Sequence, residues 1–486
     1  MRTAPEWSAD SLVRVLRRRI RSLVAGSLFL LAAASRAAAE EPLSASSPPP
    51  LKKIRYDETY DYLRSPDHPS DFFDPIKFIP FDADGIYCLT LGGDIRERYE
   101  YYHNNLWGRG PQDQNGYLLQ RYMVHADVHL GDYFRLFAQF KSGLEDGRNG
   151  GSRPTDRDEF DLHQAFLDFR IPLFDKDSLT LRVGRQELAY GSSRLISIRE
   201  EPNVRRSFDG VKTILKIGGW QIDAFAVRPV RTKVGVFDDD PDPDQKFWGL
   251  YAVTAVPWSP GGNVDLYYLG LDHRNARFDQ GTAHELRHTV GTRVWGQKAG
   301  WDYNLEFIYQ FGRFGGGDIR AWTAASDVGF TFEHVPLAPR LALKANVTSG
   351  DDDPNKSDLQ TFNPLFPRGA YFGEPALIGP ANHVDVHPQI EFALNRAVTL
   401  NLNWDCFWRE STRDGIYGPA VNVIQSGRTS DARYVGNQAE ALLEWRFDRH
   451  LTLNADYAHF FAGDFLKQTT PGKDVDYFST WVTFRF

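Results

Sequence analysis

The chain has 486 residues and a formal net charge of -8, with 42% hydrophobic and 14% aromatic residues, 41 glycines, two cysteines and two methionines. A soluble chain of this length would divide into about three domains, but a mean hydropathy of -0.45 with this glycine and aromatic content fits one turn-rich all-β protein. Beyond the N-terminus no run of about 18 apolar residues occurs, which excludes transmembrane helices but not a spanning barrel, half of whose strand residues are polar.

Residues 1–39 carry the marks of a secretory signal. Arg14, Arg17, Arg18, Arg19 and Arg21 form a basic region, Ser22 to Ala34 is apolar, and Ala37-Ala38-Ala39 supplies small residues for cleavage. The apolar run is too short for a comfortable membrane span. Removing this leader takes away seven Arg and two acids, so the charge moves from -8 to -8 - 7 + 2 = -13. A mature chain this acidic gives no support to a nucleic-acid partner. Residues 40–55, with Ser-Ala-Ser-Ser-Pro-Pro-Pro, read as a linker. Residues 56–86 follow as an arm on the periplasmic side or tucked into a barrel mouth, completing a linker-and-arm segment over 40–86.

From Tyr87 to Phe486 hydrophobicity alternates. In the first strand Leu89, Leu91, Ile95, Tyr99 and Tyr101 share one face, with Asp94, Arg96, Arg98 and Glu100 on the other. Further strands are predicted over 117–130, 133–142, 161–171, 178–187, 208–217, 219–228, 247–257, 263–272 and 285–296. The series continues over 299–312, 318–333, 340–349, 383–394, 398–409, 435–447, 450–461 and 474–486. The clearest is Trp301 to Phe311, where Trp301, Tyr303, Leu305, Phe307, Tyr309 and Phe311 alternate with Asp302, Asn304, Glu306, Ile308 and Gln310. One oily and one wet face over about ten residues is what a strand of a bilayer-spanning barrel requires. Alternate connections are tight, as at Gly131-Asp132, Gly218-Gly219 and Asp448-Arg449, while those at 143–160, 188–207, 229–246, 349–382 and 410–434 are long. Short periplasmic turns and long outer loops are the outer-membrane pattern. The reading is an all-β, antiparallel transmembrane barrel of about eighteen strands with periplasmic termini. The strand ending on Phe486 resembles the terminal signal read by the outer-membrane assembly machinery of Gram-negative bacteria.

Several stretches resemble the alginate-export family of outer-membrane barrels. They are Leu91-Gly92-Gly93-Asp94-Ile95-Arg96-Glu97-Arg98-Tyr99-Glu100, Val183-Gly184-Arg185-Gln186-Glu187 with Tyr190-Gly191, and Pro202 to Gly210. Thr348-Ser349-Gly350-Asp351 and Thr361 to Pro367 are similar too. The resemblance implies an eighteen-stranded barrel and a channel for an anionic polysaccharide. The exporters resemble gated pores with a long late periplasmic turn, whereas here that turn is only Asp448-Arg449.

A barrel of this strand number encloses water, so inward charges set selectivity. The alternation puts Arg96, Arg98, Arg121, Arg135, Lys141, Arg182, Arg287, Arg293 and Lys344 inside. Arg194, Arg199, Arg205 and Arg206 lie in the 188–207 loop, which is long enough to fold into the lumen. Guanidinium groups in series suit a polymer with one carboxylate per sugar, because each can bind a carboxylate bidentately. The same registers place Asp94, Glu100, Asp127, Asp168, Asp223, Asp265, Asp302, Glu306, Asp327, Glu333, Asp385, Glu391, Glu440, Glu444 and Asp456 inside. Pairing across strands is therefore the competing fate of every inward Arg.

Neither a cofactor nor a metal is expected. His125 and His129 stand about 13 Å apart on one strand. The Asp238–Asp240 run reads as a solvated loop, as does the Asp351–Asp353 run, where Lys356 replaces the glycine of a calcium loop. Cys88 and Cys406, about four strands apart, are predicted to be free thiols. Tyr101, Trp258, Trp301 and Trp481 read as interfacial anchors. Gly-x-Ser-x-Gly and His-Glu-x-x-His are absent, so no enzyme is expected. The expected partners are outer-membrane lipid, lipopolysaccharide and an anionic or polar saccharide. The leading expectation is a saccharide channel, and the alternative is a general or uptake porin for small solutes.

Overall fold

A computed structural model describes residues 48–486, apart from 66, 68, 69, 175 and 258–260. The leader, residues 40–47 of the linker and the anchor Trp258 lie outside the described residues. Residues 50–65 and 72–486 form one compact unit. In the other unit, 1–49 with 66–71, the described residues carry no helix or strand.

Twenty strands join in one sheet. Two of them, Ile79–Pro80 and Asp240–Pro241, are two-residue additions, which leaves an eighteen-stranded barrel. Its first half is β1 Tyr87–His103, β2 Tyr117–Leu130, β3 Phe134–Asp146, β4 Asp158–Pro172, β5 Ser178–Gln186, β6 Phe208–Ile217, β7 Trp220–Arg231, β8 Gln245–Val256 and β9 Gly262–Phe278. The second half is β10 Gly281–Lys298, β11 Trp301–Phe314, β12 Gly317–Thr331, β13 Arg340–Thr348, β14 His383–Ala393, β15 Val398–Trp408, β16 Tyr434–Arg446, β17 Leu451–Ala462 and β18 Val475–Arg485.

Each strand pairs antiparallel with its neighbours, and β18 closes on β1 in a register from Asp94↔Arg485 to His103↔Asp476. Below that register the β1 edge is still covered. Ile79–Pro80 pairs with Leu89 and Cys88, and Phe486 exchanges backbone hydrogen bonds with Gly93. No long open edge is left to recruit another chain.

The alternation decides which way each strand faces. On β11, Trp301, Leu305 and Phe307 are 55%, 45% and 52% exposed, as lipid-facing side chains are in an isolated chain, while Glu306, Ile308 and Gln310 are buried toward the lumen. Gly312 (φ +141°) and Gly184 (φ +131°) adopt backbone that L side chains rarely take. A Cβ at either would collide with a carbonyl oxygen of the adjacent strand, Leu286 or Ala165, so these kinks require glycine.

The structure corrects three expectations. The loops predicted after 272 and after 312 shrink to two residues, Asp279-Gln280 and Gly315-Gly316. Strands β9 to β12 run on beyond the apolar band with polar residues such as Arg313 and Arg320 outward, which hid them from a lipid-facing pattern. Glu333 lies exposed in the turn between β12 and β13, not inside the barrel. Trp481 shares the inward face of β18 with buried Tyr477 and Ser479, and the Arg98 guanidinium sits 4.5 Å over its ring, so it is no interfacial anchor. Cys88 on β1 and Cys406 on β15 are unpaired.

Candidate functional site

Three segments enter the lumen. The first is loop L3 (187–207), whose Leu188, Leu195 and Ile196 pack on the wall residues Phe208, Phe225 and Phe247. Phe362, Leu365 and Phe366 of loop L7 (349–382) join the same cluster, and a bridge between Ile196 and Phe366 ties the two loops together. The third segment is the N-terminal arm. Its Tyr56 ring meets Phe137 and Phe166 edge-on, and its hydroxyl donates to the Glu187 carbonyl at 2.9 Å. Apolar loop residues inside a water-filled tube are stable only if they bury each other, and these do.

The inward cations hold these segments in place. Arg121 lies 2.6 Å from Glu200 of L3 and 3.5 Å from Asp94, while Arg96 donates to the carbonyls of Glu200 and Pro202. Arg205 sits between Glu187 at 2.9 Å and Glu200 at 3.3 Å, and also donates to the Lys53 carbonyl of the arm. Arg135 binds Asp127 and the Tyr56 carbonyl, and Arg182 binds Asp168 with its guanidinium 4.3 Å over the Tyr56 ring. Arg98 reaches Glu374 of L7 at 2.8 Å. Arg287 pairs with Glu285 and donates to the Thr361 carbonyl, and Arg194 bridges Glu306 and Asn346. Lys141 pairs with Asp158 and Asp239, Arg293 with Asp265, and Lys344 stands 4.0 Å from Asp327. All twelve candidates from the sequence therefore face the lumen or its loops. Ten have a carboxylate partner, six of them on the neighbouring strand, as cross-strand pairing requires.

Arg206 is different, as is Arg199 beside it. Among the described residues neither side chain has a hydrogen-bond or ion-pair partner; the Arg206 guanidinium lies against the Phe366 ring at 4.9 Å. Both line a loop-side cavity of about 510 Å³, together with Arg231 and exposed Arg277. Its carboxylates are Asp242 and Glu285, and Glu285 is committed to Arg287. Burial pulls Arg199 down to about 10 and Arg206 well below the ordinary guanidinium range, the latter helped by the like charge of Arg199. Nearby Glu200 goes the other way: burial raises it, but Arg121, Arg205 and Arg96 outweigh that and hold it ionised. Burial lifts Glu187 to about 7 against the pull of Arg205. Two half-buried guanidiniums without a direct ion pair, opposed only by the more distant Glu201 and Asp242, make a seat for an anion.

The turn-side cavity, about 700 Å³, is balanced instead. Arg64, Arg135, Arg170, Arg182 and Lys216 meet Glu58, Asp61, Asp127, Asp132 and Asp168 there. Arg205, Glu187, Glu200 and Tyr56 meet in one buried network that ties L3 to the arm. Sequence reasoning passed over Tyr56, Glu187 and Glu200, along with the wall pairs Lys212–Asp223 and Arg340–Asp302. Only the Gln186-Glu187 stretch, part of a family-like motif, pointed to any of them.

A profile of the alginate export family matches residues 87–478. No curated protein matches the chain in sequence. Solved structures from Pseudomonas aeruginosa share the fold. OccD3 (OpdP) is similar over 82% of this chain and 91% of its own, at 12% identity and a TM-score of 0.56. OpdK with vanillate covers 82% and 98% at 10% identity and a TM-score of 0.53. OccK2 (OpdF) in complex with glucuronate covers 82% and 98% at 11% identity and a TM-score of 0.52.

Proposed function

The chain belongs to the alginate export family of outer-membrane β-barrels, and on that footing we propose that it is a selective channel for small carboxylate-bearing saccharides and comparable polar anions. One observation carries the reading: Arg199 and Arg206 stand without a direct ion-pair partner beside the loop-side cavity, where their guanidiniums and those of Arg231 and Arg277 face two carboxylates. A solute carboxylate displaces water there and meets two guanidiniums, then passes the Arg205 network, whose ion pairs exchange with it in turn. Vanillate and glucuronate, found in OpdK and OccK2, are both carboxylates and fit this chemistry. The leader is cleaved on export in this reading, and Phe486 serves the assembly machinery. Lipid and lipopolysaccharide then surround the apolar face.

A second reading, passage of an acidic polysaccharide, is favoured by the description of the family. It requires L3, L7 and the arm to withdraw together. Single-channel recording in a planar bilayer separates the two. Glucuronate at millimolar concentration is expected to produce brief current blocks, and an oligouronate none. A large ohmic current insensitive to both would overturn the selective-channel reading.

A further inference from the structure

We propose that Asp385, His387 and Asp405 form a binding site for one divalent transition-metal ion of the zinc type in the barrel wall. Asp385 and His387 are two residues apart on β14 and share its inward face. Strand β15 brings Asp405 alongside, because Val386 pairs with Cys406. All three side chains are buried, and one ligand atom from each lies within 4.8 Å of the others. His387 Nδ1 is 2.9 Å from Asp405 Oδ2. Donors bound at about 2.1 Å on a tetrahedral ion are all about 3.4 Å apart. The widest pair therefore closes by at most about 1.4 Å, within the reach of a side-chain rotation.

A second observation points the same way. Asp385 Oδ2, on a residue 1% exposed, accepts no hydrogen bond, and Asp405, equally buried, meets only the His387 ring and the Cys406 backbone N–H. Buried carboxylate oxygens without donors are costly unless a cation meets them. Lys344, across from His387 in the register, stands 4.0 Å from Asp327 and shares its charge between Asp327 and Asp405. The surroundings supply outer contacts. Asp385 Oδ1 accepts from Asn346 at 2.7 Å and lies 2.6 Å from His383 Nε2. Gln389 stands 3.1 Å from His387 Nε2, and with its amide oxygen presented it accepts the Nε2 proton and leaves Nδ1 for the metal. A comparable acidic cluster, Asp158, Asp161 and Asp239, already holds the Lys141 ammonium at 2.5 and 2.7 Å and has no room for an ion.

One imidazole and two carboxylates suit zinc better than calcium, which prefers six or more oxygens. Three protein ligands leave a position for water. An ion here cross-links β14 to β15 beneath L7, whose Phe372 ring lies 4.4 Å from that of His383 at the head of β14. The test uses the full chain refolded in detergent, stripped with chelator and titrated with zinc chloride alone by calorimetry. One zinc per chain is expected, with affinity reduced at least tenfold in His387→Ala and Asp405→Asn. Heat-modifiable migration on a gel reports whether each variant folds. If neither does, cobalt is added to the unmodified protein. A visible absorption band displaced by zinc supports the site, and its absence overturns it. Zinc binding that is absent or unchanged in folded variants, or calcium bound in preference to zinc, also overturns it.

Discussion

Replacing Arg199 and Arg206 together with alanine tests whether the loop-side cavity selects for charge. A cavity of about 510 Å³ has a radius near 5 Å, so an ion at its centre lies about 6 Å from each guanidinium. Coulomb's law gives about 0.7 kcal/mol per charge at the dielectric of water and several times more beside a low-dielectric wall. Two charges then contribute about 1.5–3 kcal/mol, or roughly a tenfold to hundredfold preference for anions. The assay is the reversal potential under a potassium chloride gradient in a planar bilayer. The double variant is expected to lose at least tenfold in the anion-to-cation permeability ratio at about 0.1 M salt. Near 1 M salt, where the screening length is about 3 Å, little difference is expected. Neither arginine has a carboxylate partner, so the barrel should fold normally. An unchanged reversal potential in a folded double variant would refute the reasoning.

Removing residues 48–65 takes Tyr56 out of its ring contacts and frees Arg135 and Arg205 of their arm carbonyls. Single-channel conductance is expected to rise at least twofold, as recorded in a bilayer. Loop L7 and loop L8 (409–433) meet at Asp414, which accepts from Thr361 and Tyr417 and is raised by burial to about 6, as is Asp351 beside it. A carboxyl raised on folding favours the closed contact most below about pH 4 and loses that advantage as pH rises through about 6. Limited proteolysis should therefore cut L7 faster at pH 7.5 than at pH 5, and Asp414→Asn should abolish the difference. Gly312→Ala forces a side chain into the Leu286 carbonyl at positive φ and is expected to cost about 2–4 kcal/mol. A lowered temperature for loss of the compact gel band measures it.

The barrel was legible because lipid and water enforce a two-residue period that a chain cannot hide. Trp301 to Phe311 faces as the alternation requires, and the strands over 117–130 and 208–217 end where the pattern ends. Strands β9 to β12 were cut short in the reading because, above the bilayer, both of their faces are polar. The inward arginines were legible for the same reason as the strands. Their partners were not, since Arg98–Glu374 and Arg194–Glu306 join residues far apart in sequence through loops that carry no period. Arg199 and Arg206 could be named as loop residues, but only the folded loop shows that they form no direct ion pair. The Asp385, His387 and Asp405 cluster escaped because its members sit on two strands, and each alone reads as an ordinary wall residue.

Liposome swelling with the purified, refolded protein tests the central claim most directly, that the working part is a narrow, anion-favouring passage down a sealed cylinder. Glucuronate should enter markedly faster than glucose of nearly equal size, and a uronate polymer should not enter at all. Equal rates for glucuronate and glucose, or no swelling with either, would contradict the account.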